Sequence, residues 1–154
     1  MGTKMMVAAG LAASMLAGPA LALDADDALA VVQRYDDAFN ANDKAAASAL
    51  CAPDAVIIDD FAPHVWRGPN ACSVWWDALG AYDASQGIGD PSHVKIGTPW
   101  RNVITGDRAY IVVPATYDYM QHGKSVVEAG SIWTLVLRKT ASGWLITGWA
   151  WGQH

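Results

Sequence analysis

The sequence predicts a single α+β domain in which helices come first and an antiparallel sheet follows. Apolar residues recur at helical spacing only in the first part of the chain, up to about residue 80. Beyond about residue 92, long β-type runs are separated by short turn sequences. Helices and strands segregated in this way are typical of an α+β domain, whereas alternating βαβ units would give a parallel sheet.

The first helix is predicted from a regular stripe of apolar side chains. Asp24 or Asp26 is a suitable N-cap, and the segment Asn40–Asn42 offers a stop. Between them, four residues repeat at helical spacing: Ala28, Val32, Tyr35 and Phe39. A side of the helix built from these residues is expected to pack on the sheet.

A second helix, a strand and a third helix are predicted next. Asp43 caps a short alanine-rich helix that ends near Cys51, and Pro53–Asp54 turns the chain into a strand from Ala55 to Asp59. Gly68–Pro69 then begins the third helix. Its apolar stripe follows the i, i+3, i+4, i+7 pattern through Cys72, Trp75, Trp76 and Leu79.

The second half of the chain predicts four strands joined by hairpins. The glycine-rich segment Tyr82–Ser92 is expected to be a loop. The strands beyond it are separated by turns at Thr105–Asp107, Gln121–Lys124 and Thr140–Gly143. Because proline has no N–H group to donate, Pro114 predicts a bulge or an edge position within the second of these strands.

The N-terminal 22 residues have the pattern of a secretory signal peptide. Lys4 precedes an alanine-rich apolar run, and Ala20-Leu21-Ala22 fits a small-x-small cleavage site. The alternative, a membrane-spanning anchor, is disfavoured because the run is short and Gly18-Pro19 interrupts it. We therefore expect residues 1–22 to be removed, leaving residues 23–154 as a periplasmic or secreted domain with no membrane attachment.

Charge and cysteine content limit the partners and ligands that the chain can have. The formal net charge of −5 becomes −6 once Lys4 is removed, and no cluster of Lys or Arg is present. Nucleic acid and anionic lipid surfaces are therefore excluded as expected partners. Cys51 and Cys72 either form one disulfide or are two buried free thiols. No CxxC or HExxH spacing occurs, so no metal site and no cofactor are predicted.

A small-molecule site is predicted where the first helix faces the end of the first strand. Alternation along that strand places Asp59 on the same side as Ile57, and Tyr35 belongs to the apolar face of the helix. Asp59, Tyr35 and, five residues beyond Asp59, His64 are the candidate catalytic residues. The alternatives are that Asp59 only caps a turn, that Tyr35 only packs, and that His64 lies in a surface turn.

The ligand-binding side chains are expected among the aromatic residues, because an incompletely filled aromatic core offers a pocket for a flat apolar molecule. Eight tryptophans in this chain are far above ordinary usage. The predicted ligand-binding residues are Phe61, Trp66, Trp76, Trp100, Tyr117, Glu128, Trp133 and Trp149.

These elements together resemble the cone-shaped, cystatin-like fold of the nuclear transport factor 2 (NTF2) superfamily. The nearest functional pattern is that of ketosteroid isomerase, and it is matched without a gap at Arg34-Tyr35, Asp43, Asp54-Ala55, Asp59, Phe61 and Gly68. The resemblance implies that Tyr35 stabilises an oxyanion and that Asp59 transfers a proton. It also implies a second acid in the third long strand, where this chain has Trp133 or Thr134 instead, with Glu128 the strand's only carboxylate.

The function expected from these observations is that of an exported SnoaL-like, NTF2-like domain over residues 23–154 with a pocket for a small apolar or aromatic organic ligand. Catalysis would be cofactor-independent proton transfer, as in isomerisation, dehydration or cyclisation, with Asp59 and Tyr35 in the main roles. The alternative is a ligand-binding or protein-interaction module without catalysis. The resemblance also implies a homodimer formed through the outer face of the sheet.

Overall fold

The computed structural model describes the backbone of residues 19–153 and the side chains of residues 22–153. Within these residues, three helices and seven strands follow one another. Their bounds are α1 (Pro19–Asn40), α2 (Lys44–Ala49), β1 (Cys51–Ile58), β2 (Val65–Trp66), α3 (Ala71–Gln86), β3 (Ile88–Ile96), β4 (Arg101–Thr105), β5 (Arg108–Gln121), β6 (Lys124–Thr140) and β7 (Gly143–Gly152). The predicted α+β class is confirmed.

The strands form one curved sheet in the order β2-β1-β7-β6-β5-β3, and β4 pairs with β5 beside β3. The sheet is mixed, not wholly antiparallel as the sequence predicted, because β1 runs parallel to β7. The strands β4 to β7 are joined in sequence by hairpins, so they must alternate in direction. β1 is reached from α2 instead, and no hairpin constrains its direction.

The helices differ from their predicted bounds in ways that local chemistry explains. α1 begins at Pro19, upstream of the N-caps predicted at Asp24 and Asp26. The Ala-Leu-Ala-Leu segment that joins Pro19 to Asp24 has high helix propensity, which explains the earlier start. Asp43 caps α2 as predicted, and its side chain accepts a hydrogen bond from the Ala46 N–H at 2.9 Å. Cys51 belongs to β1 and not to the end of this helix.

The predicted loop Tyr82–Ser92 is wrong. α3 continues through Tyr82 to Gln86, a single left-handed residue, Gly87 (φ 65°), ends it, and β3 starts at Ile88. One residue therefore completes a reversal for which the sequence suggested a long loop. The three predicted turns are confirmed, but the run before the first of them contains two strands, β3 and β4, where one was expected.

Three prolines, Pro53, Pro91 and Pro114, lie inside strands at irregular positions, and Pro91 lies where the register of β3 against β5 shifts. Pro53 is part of β1, not of a turn as predicted, and the register of β1 against β7 shifts between Cys51 and Val56. A register shift lies near Pro114, between Ala115 and Thr116, but its extra residue is Gly130 of β6 and not a residue of β5, the strand in which the bulge was predicted. On its other side Pro114 faces the connection between β3 and β4, so its missing N–H group interrupts no ladder there.

The core lies between the helices and the inner face of the sheet. Large side chains that are fully buried there include Val31 and Val32 of α1 and Leu135 and Leu137 of β6. Cys51 and Cys72 form a disulfide, which joins the start of β1 to α3. This covalent link holds α3 against β1, the strand that Asp59 follows.

Residues 1–18, which hold most of the predicted signal peptide, lie outside the described residues. Within residues 19–153, no helix is both long enough and apolar enough to cross a membrane.

Gly80, which lies within α3, and Gly87, which ends it, give a matched test of how this helix ends. Gly87→Ala is expected to lower the free energy of unfolding by about 1 kcal/mol, because alanine is strained at this positive φ. An added Cβ would also crowd the His122 ring. Gly80→Ala is expected to raise the free energy of unfolding by roughly 0.5–1 kcal/mol, because a Cβ there meets open space within the helix. Urea denaturation measures both, and shifts in the same direction would contradict this account.

Candidate functional site

An aromatic cavity of about 120 Å³ lies between α1, α3 and the inner face of the sheet. Ten of its nineteen lining residues are aromatic. Five carboxylic acids line it as well: Asp36, Asp59, Asp60, Asp83 and Glu128. The cavity therefore combines an apolar wall with an unusual number of acids, which is typical of a site and not of a plain core.

Asp59 follows β1 and faces the cavity, on the same side as the fully buried Ile57. The residue is 8% exposed. Oδ2 accepts a hydrogen bond of 2.8 Å from the indole Nε1 of Trp75, and Oδ1 accepts one of 2.8 Å from the backbone N–H of Asp60. These two donors fix the orientation of the carboxylate.

Burial raises the pKa of Asp59 to about 7. The hydrogen bonds from Asp60 and Trp75 favour the charged form and oppose this shift, but desolvation is the larger effect. A carboxyl group with a pKa near neutrality can both accept and donate a proton under ordinary conditions.

Tyr35 lies in α1 with its ring against Trp133, at 5.5 Å between centroids, and is only 2% exposed. Burial raises the pKa of its phenol well above the ordinary value, so the hydroxyl stays protonated. The indole of Trp149 is close enough to offset part of this rise, but the Tyr35 hydroxyl makes no hydrogen bond of normal geometry with any described residue. This O–H donor is free for a ligand.

Three further polar atoms that line the same cavity are buried and have no hydrogen-bond partner among the described residues. They are Nε1 of Trp133, Nε1 of Trp149 and Oδ1 of Asp36. The Trp133 and Trp149 rings are 6.0 Å apart. A buried donor without a partner costs about 1–3 kcal/mol, and an acceptor atom on a ligand would recover that cost. The two indoles and the Tyr35 hydroxyl thus form a group of donors that belong to the lining residues of one cavity.

A second group of acids and tyrosines forms another part of the wall. The carboxylate of Glu128 accepts hydrogen bonds from Ser131 Oγ at 2.6 Å, Trp151 Nε1 at 3.3 Å and Gln153 Nε2 at 2.8 Å. The same side of the cavity holds Tyr117, whose pKa is raised to about 12 by burial and by the negative charge of Asp83. These hydrogen bonds fix Glu128 in place without neutralising its charge.

Seven of the eleven residues that the sequence nominated line the cavity. They are Asp59, Tyr35, Phe61, Tyr117, Glu128, Trp133 and Trp149. Alternation explains the inward side chains of single regular strands, but Glu128 and Trp133 share the inner face of β6 only because the register against β5 shifts between them. Asp59 and Phe61 lie in the turn after β1.

Four nominated residues do not line the cavity. His64 is exposed in the turn after β1, where its Nδ1 is 3.2 Å from the backbone oxygen of Asp59 and not from its carboxylate. Trp66 is buried in the core behind Phe61, at 4.8 Å between ring centroids. Trp100 is 57% exposed in the connection between β3 and β4. Trp76 lines a separate, neighbouring cavity.

Several residues that line the cavity were not predicted as members of the site. Asp36 was overlooked although a carboxylate next to Tyr35, at the margin of an apolar helix face, is a signal in itself. Trp75 was assigned to the core stripe of α3, and only the folded chain shows that its N–H reaches Asp59. Asp83 lay in the segment predicted to be a loop. Within residues 19–153, no three His, Cys, Asp or Glu side chains are grouped to hold a metal ion.

Residues 32–139 match the sequence profile of the SnoaL-like domain, which is more than half of the chain. This chain belongs to the SnoaL-like family. The match extends from α1 almost to the end of β6, so it includes most of the elements that form the cavity. No curated protein matches the sequence at a significant level.

Solved structures confirm the NTF2-like, cystatin-like fold of this SnoaL-like domain. An NTF2-like protein from Novosphingobium aromaticivorans is 20% identical with a TM-score of 0.71, over 87% of this chain and 84% of that one. A ketosteroid isomerase-like protein from Erwinia carotovora atroseptica is 18% identical with a TM-score of 0.67, over 84% and 95%. An NTF2-like superfamily protein from Salmonella enterica is 14% identical with a TM-score of 0.71, over 86% and 91%. At these identities the likeness shows the fold alone.

The buried carboxyl of Asp36 gives a pH-dependent stability test for the SnoaL-like domain. Burial raises the pKa of Asp36 to about 7, so its ionisation destabilises the folded state as the pH rises from about 4 to about 7. Asp36→Asn is expected to change the free energy of unfolding little at pH 4 and to raise it by roughly 2 kcal/mol at pH 8.

Asp37→Asn is the matched control, because Asp37 is the next residue of α1 and is exposed. Asp37→Asn removes one negative charge, as Asp36→Asn does. It leaves the main cause of the raised pKa of Asp36, which is burial, and removes only the smaller cause, which is the Coulombic effect of Asp37. Urea denaturation at the two pH values measures both variants. An Asp36→Asn effect that is equal at pH 4 and pH 8, or a gain just as large in Asp37→Asn, would contradict the assignment.

Proposed function

We propose that this SnoaL-like domain catalyses cofactor-independent proton transfer on a small, flat, apolar molecule that carries a carbonyl oxygen. Asp59 is the proton carrier, and Tyr35 is a hydrogen-bond donor to the oxygen. The observation that carries the proposal is the common cavity of these two side chains: a carboxyl with a pKa of about 7 lines it together with a buried hydroxyl that has no partner.

The reaction that this geometry supports begins with removal of a proton from a carbon next to the carbonyl group. The Asp59 carboxylate takes that proton, and the electron pair of the C–H bond moves to give an enolate whose negative charge lies on oxygen. Asp59 then returns the proton to the same or a neighbouring carbon. Isomerisation, and elimination from a β-substituted ketone, both start from this step.

Stabilisation of the enolate oxygen is assigned to donors that the cavity leaves without partners. The Tyr35 hydroxyl stays protonated because burial raises its pKa. The indole N–H groups of Trp133 and Trp149 keep their protons at any ordinary pH. Fixed donors in a water-poor cavity favour the charged enolate over the neutral ketone. Trp133 is also a position at which the resemblance to ketosteroid isomerase implied an acid, and its N–H supplies a donor in that place.

Trp75 acts as a positioning residue in this proposal. Its N–H holds one carboxylate oxygen of Asp59, and each oxygen of this carboxylate has a further lone pair that can accept a proton. His64 is left out of the mechanism, because its side chain is exposed and does not line the cavity.

Hydrogen exchange at a carbon next to a ketone tests the proposal without knowledge of the natural substrate. The probe is 2-tetralone, a flat aromatic ketone, in D₂O, with loss of the C1 proton signal followed by NMR. The wild-type domain is expected to accelerate exchange above the buffer rate. Asp59→Asn is expected to lose roughly 1,000-fold of that acceleration, and Tyr35→Phe roughly 100-fold.

The control for that experiment is His93→Ala, which removes an exposed histidine of β3 that does not line the cavity. It is expected to exchange the probe at the wild-type rate. Saturable binding of 2-tetralone without any acceleration would contradict catalysis and support the alternative, a ligand-binding module on the same fold. Exchange that persists in Asp59→Asn would assign the proton transfer to another group.

Export and dimer formation stay predictions. A homodimer is supported by exposed apolar residues on the outer face of the sheet, where Val103, Tyr110 and Val136 are cross-strand neighbours with 43–48% of each residue exposed. Light scattering measures the mass of the domain comprising residues 23–154. Cell fractionation with N-terminal sequencing measures export and the cleavage site after Ala22, and a monomer mass or an uncleaved chain would contradict these predictions.

A further inference from the structure

We propose that the cavity binds a positively charged organic amine, whose ammonium group lies against the carboxylates of Asp36 and Asp83 and the neighbouring aromatic rings. This inference rests on the cavity being a ligand site, as in the proposed function, but it does not depend on proton transfer by Asp59. It assigns the ligand a charge and a functional group.

The wall of the cavity is acidic. Five carboxylic acids line the cavity, and no Lys, Arg or His is among the lining residues that the structure describes. The four ion pairs found within residues 22–153 all use acids outside this cavity, namely Asp24, Asp54, Asp77 and Asp107. The negative charge of the wall is therefore not balanced by these cations of the protein, and it favours a cationic ligand over an anionic one.

Asp36 is a buried acid of this wall. It is 9% exposed, and its Oδ1 is buried without a hydrogen-bond partner among the described residues. A buried carboxylate oxygen without a donor is costly, and an ammonium group can supply both the N–H donor and the opposite charge. The Tyr35 and tryptophan donors described above do not bond to this atom.

Aromatic side chains line the same cavity as the acids. The rings of Tyr117 and Tyr119 are 4.7 Å apart, and those of Phe61 and Tyr82 are 4.8 Å apart. Aromatic faces attract cations through their quadrupoles, and cages of aromatic residues are a common means of binding organic ammonium ions.

The negative charges also act together at this surface. Burial is the largest cause that raises the pKa of Tyr119. The negative charge of Glu128, the nearby Tyr82, and the charges of Asp60 and Asp83 raise this pKa further. Three carboxylates therefore act on a single phenol. A carboxylate or phosphate ligand would meet the same potential as repulsion, and an apolar amine would gain from it.

Three small probes of similar shape and different charge test the inference at pH 8 by isothermal titration calorimetry of the wild-type domain. They are 2-phenylethylamine, which is protonated, 2-phenylethanol, which is neutral, and 3-phenylpropionate, which is an anion. The amine is expected to bind roughly tenfold more tightly than the alcohol, and the anion to bind most weakly. Raised salt concentration is expected to weaken the amine alone.

Two substitutions locate the ammonium group. Asp36→Asn and Asp83→Asn are each expected to weaken amine binding by roughly fivefold and to leave the affinity for 2-phenylethanol unchanged. Asp77→Asn is the matched control, because Asp77 belongs to α3 like Asp83 but pairs with Lys44 and does not line the cavity. It is expected to bind all three probes as the wild type does.

The outcomes separate this inference from the proposed function. If alcohol and amine bind equally, or if Asp36→Asn and Asp83→Asn do not affect the amine, the inference is overturned while the ligand cavity and proton transfer stand. If none of the three probes binds, both the inference and the ligand-binding basis of the proposed function are overturned. Selective amine binding without exchange of 2-tetralone would support the inference and count against catalysis.

Discussion

The hydrogen bond from the Trp75 indole to the Asp59 carboxylate is the contact on which the site depends. It joins α3 to the end of β1, and the disulfide between Cys51 and Cys72 connects the same two elements nearby. Without the indole donor, the carboxylate would have to find water or turn away from an apolar cavity. The bond is therefore both a part of the core and the reason that an acid can remain where burial raises its pKa.

The cavity keeps several polar atoms in a state that a plain core would not tolerate. The Tyr35 hydroxyl, two indole N–H groups and one oxygen of Asp36 are buried and have no hydrogen-bond partner within the part of the chain that the structure describes. At about 1–3 kcal/mol for each such atom, this is a substantial loss for a domain of ordinary stability. When several buried polar atoms without partners lie in one place, the lowered stability is typical of a site for binding or chemistry. A ligand with a carbonyl oxygen at one end and an ammonium group at the other would satisfy both sets of atoms.

Sequence patterns predicted the fold class, the hairpin turns and the placement of Asp59 and Tyr35, because each depends on local periodicity or turn chemistry. They failed where one residue or a distant partner decides the outcome. Gly87 alone ends α3, so a predicted loop is instead helix and strand. The parallel pairing of β1 with β7 depends on the whole topology. In the sequence, Trp75 has the pattern of an ordinary core residue. Its hydrogen bond to Asp59 is visible only in the tertiary structure.

The protonation of Asp59 is the central claim, and a pH titration of its carboxyl carbon by ¹³C NMR tests it most directly. The spectrum of Asp59→Asn assigns the signal by its absence. This account predicts a titration midpoint at a pH of about 7, together with a shift of the Trp75 indole N–H signal over the same range. A midpoint near the ordinary aspartate value of about 4 would contradict it, because Asp59 would then be a fixed anion and a poor carrier of protons at neutral pH.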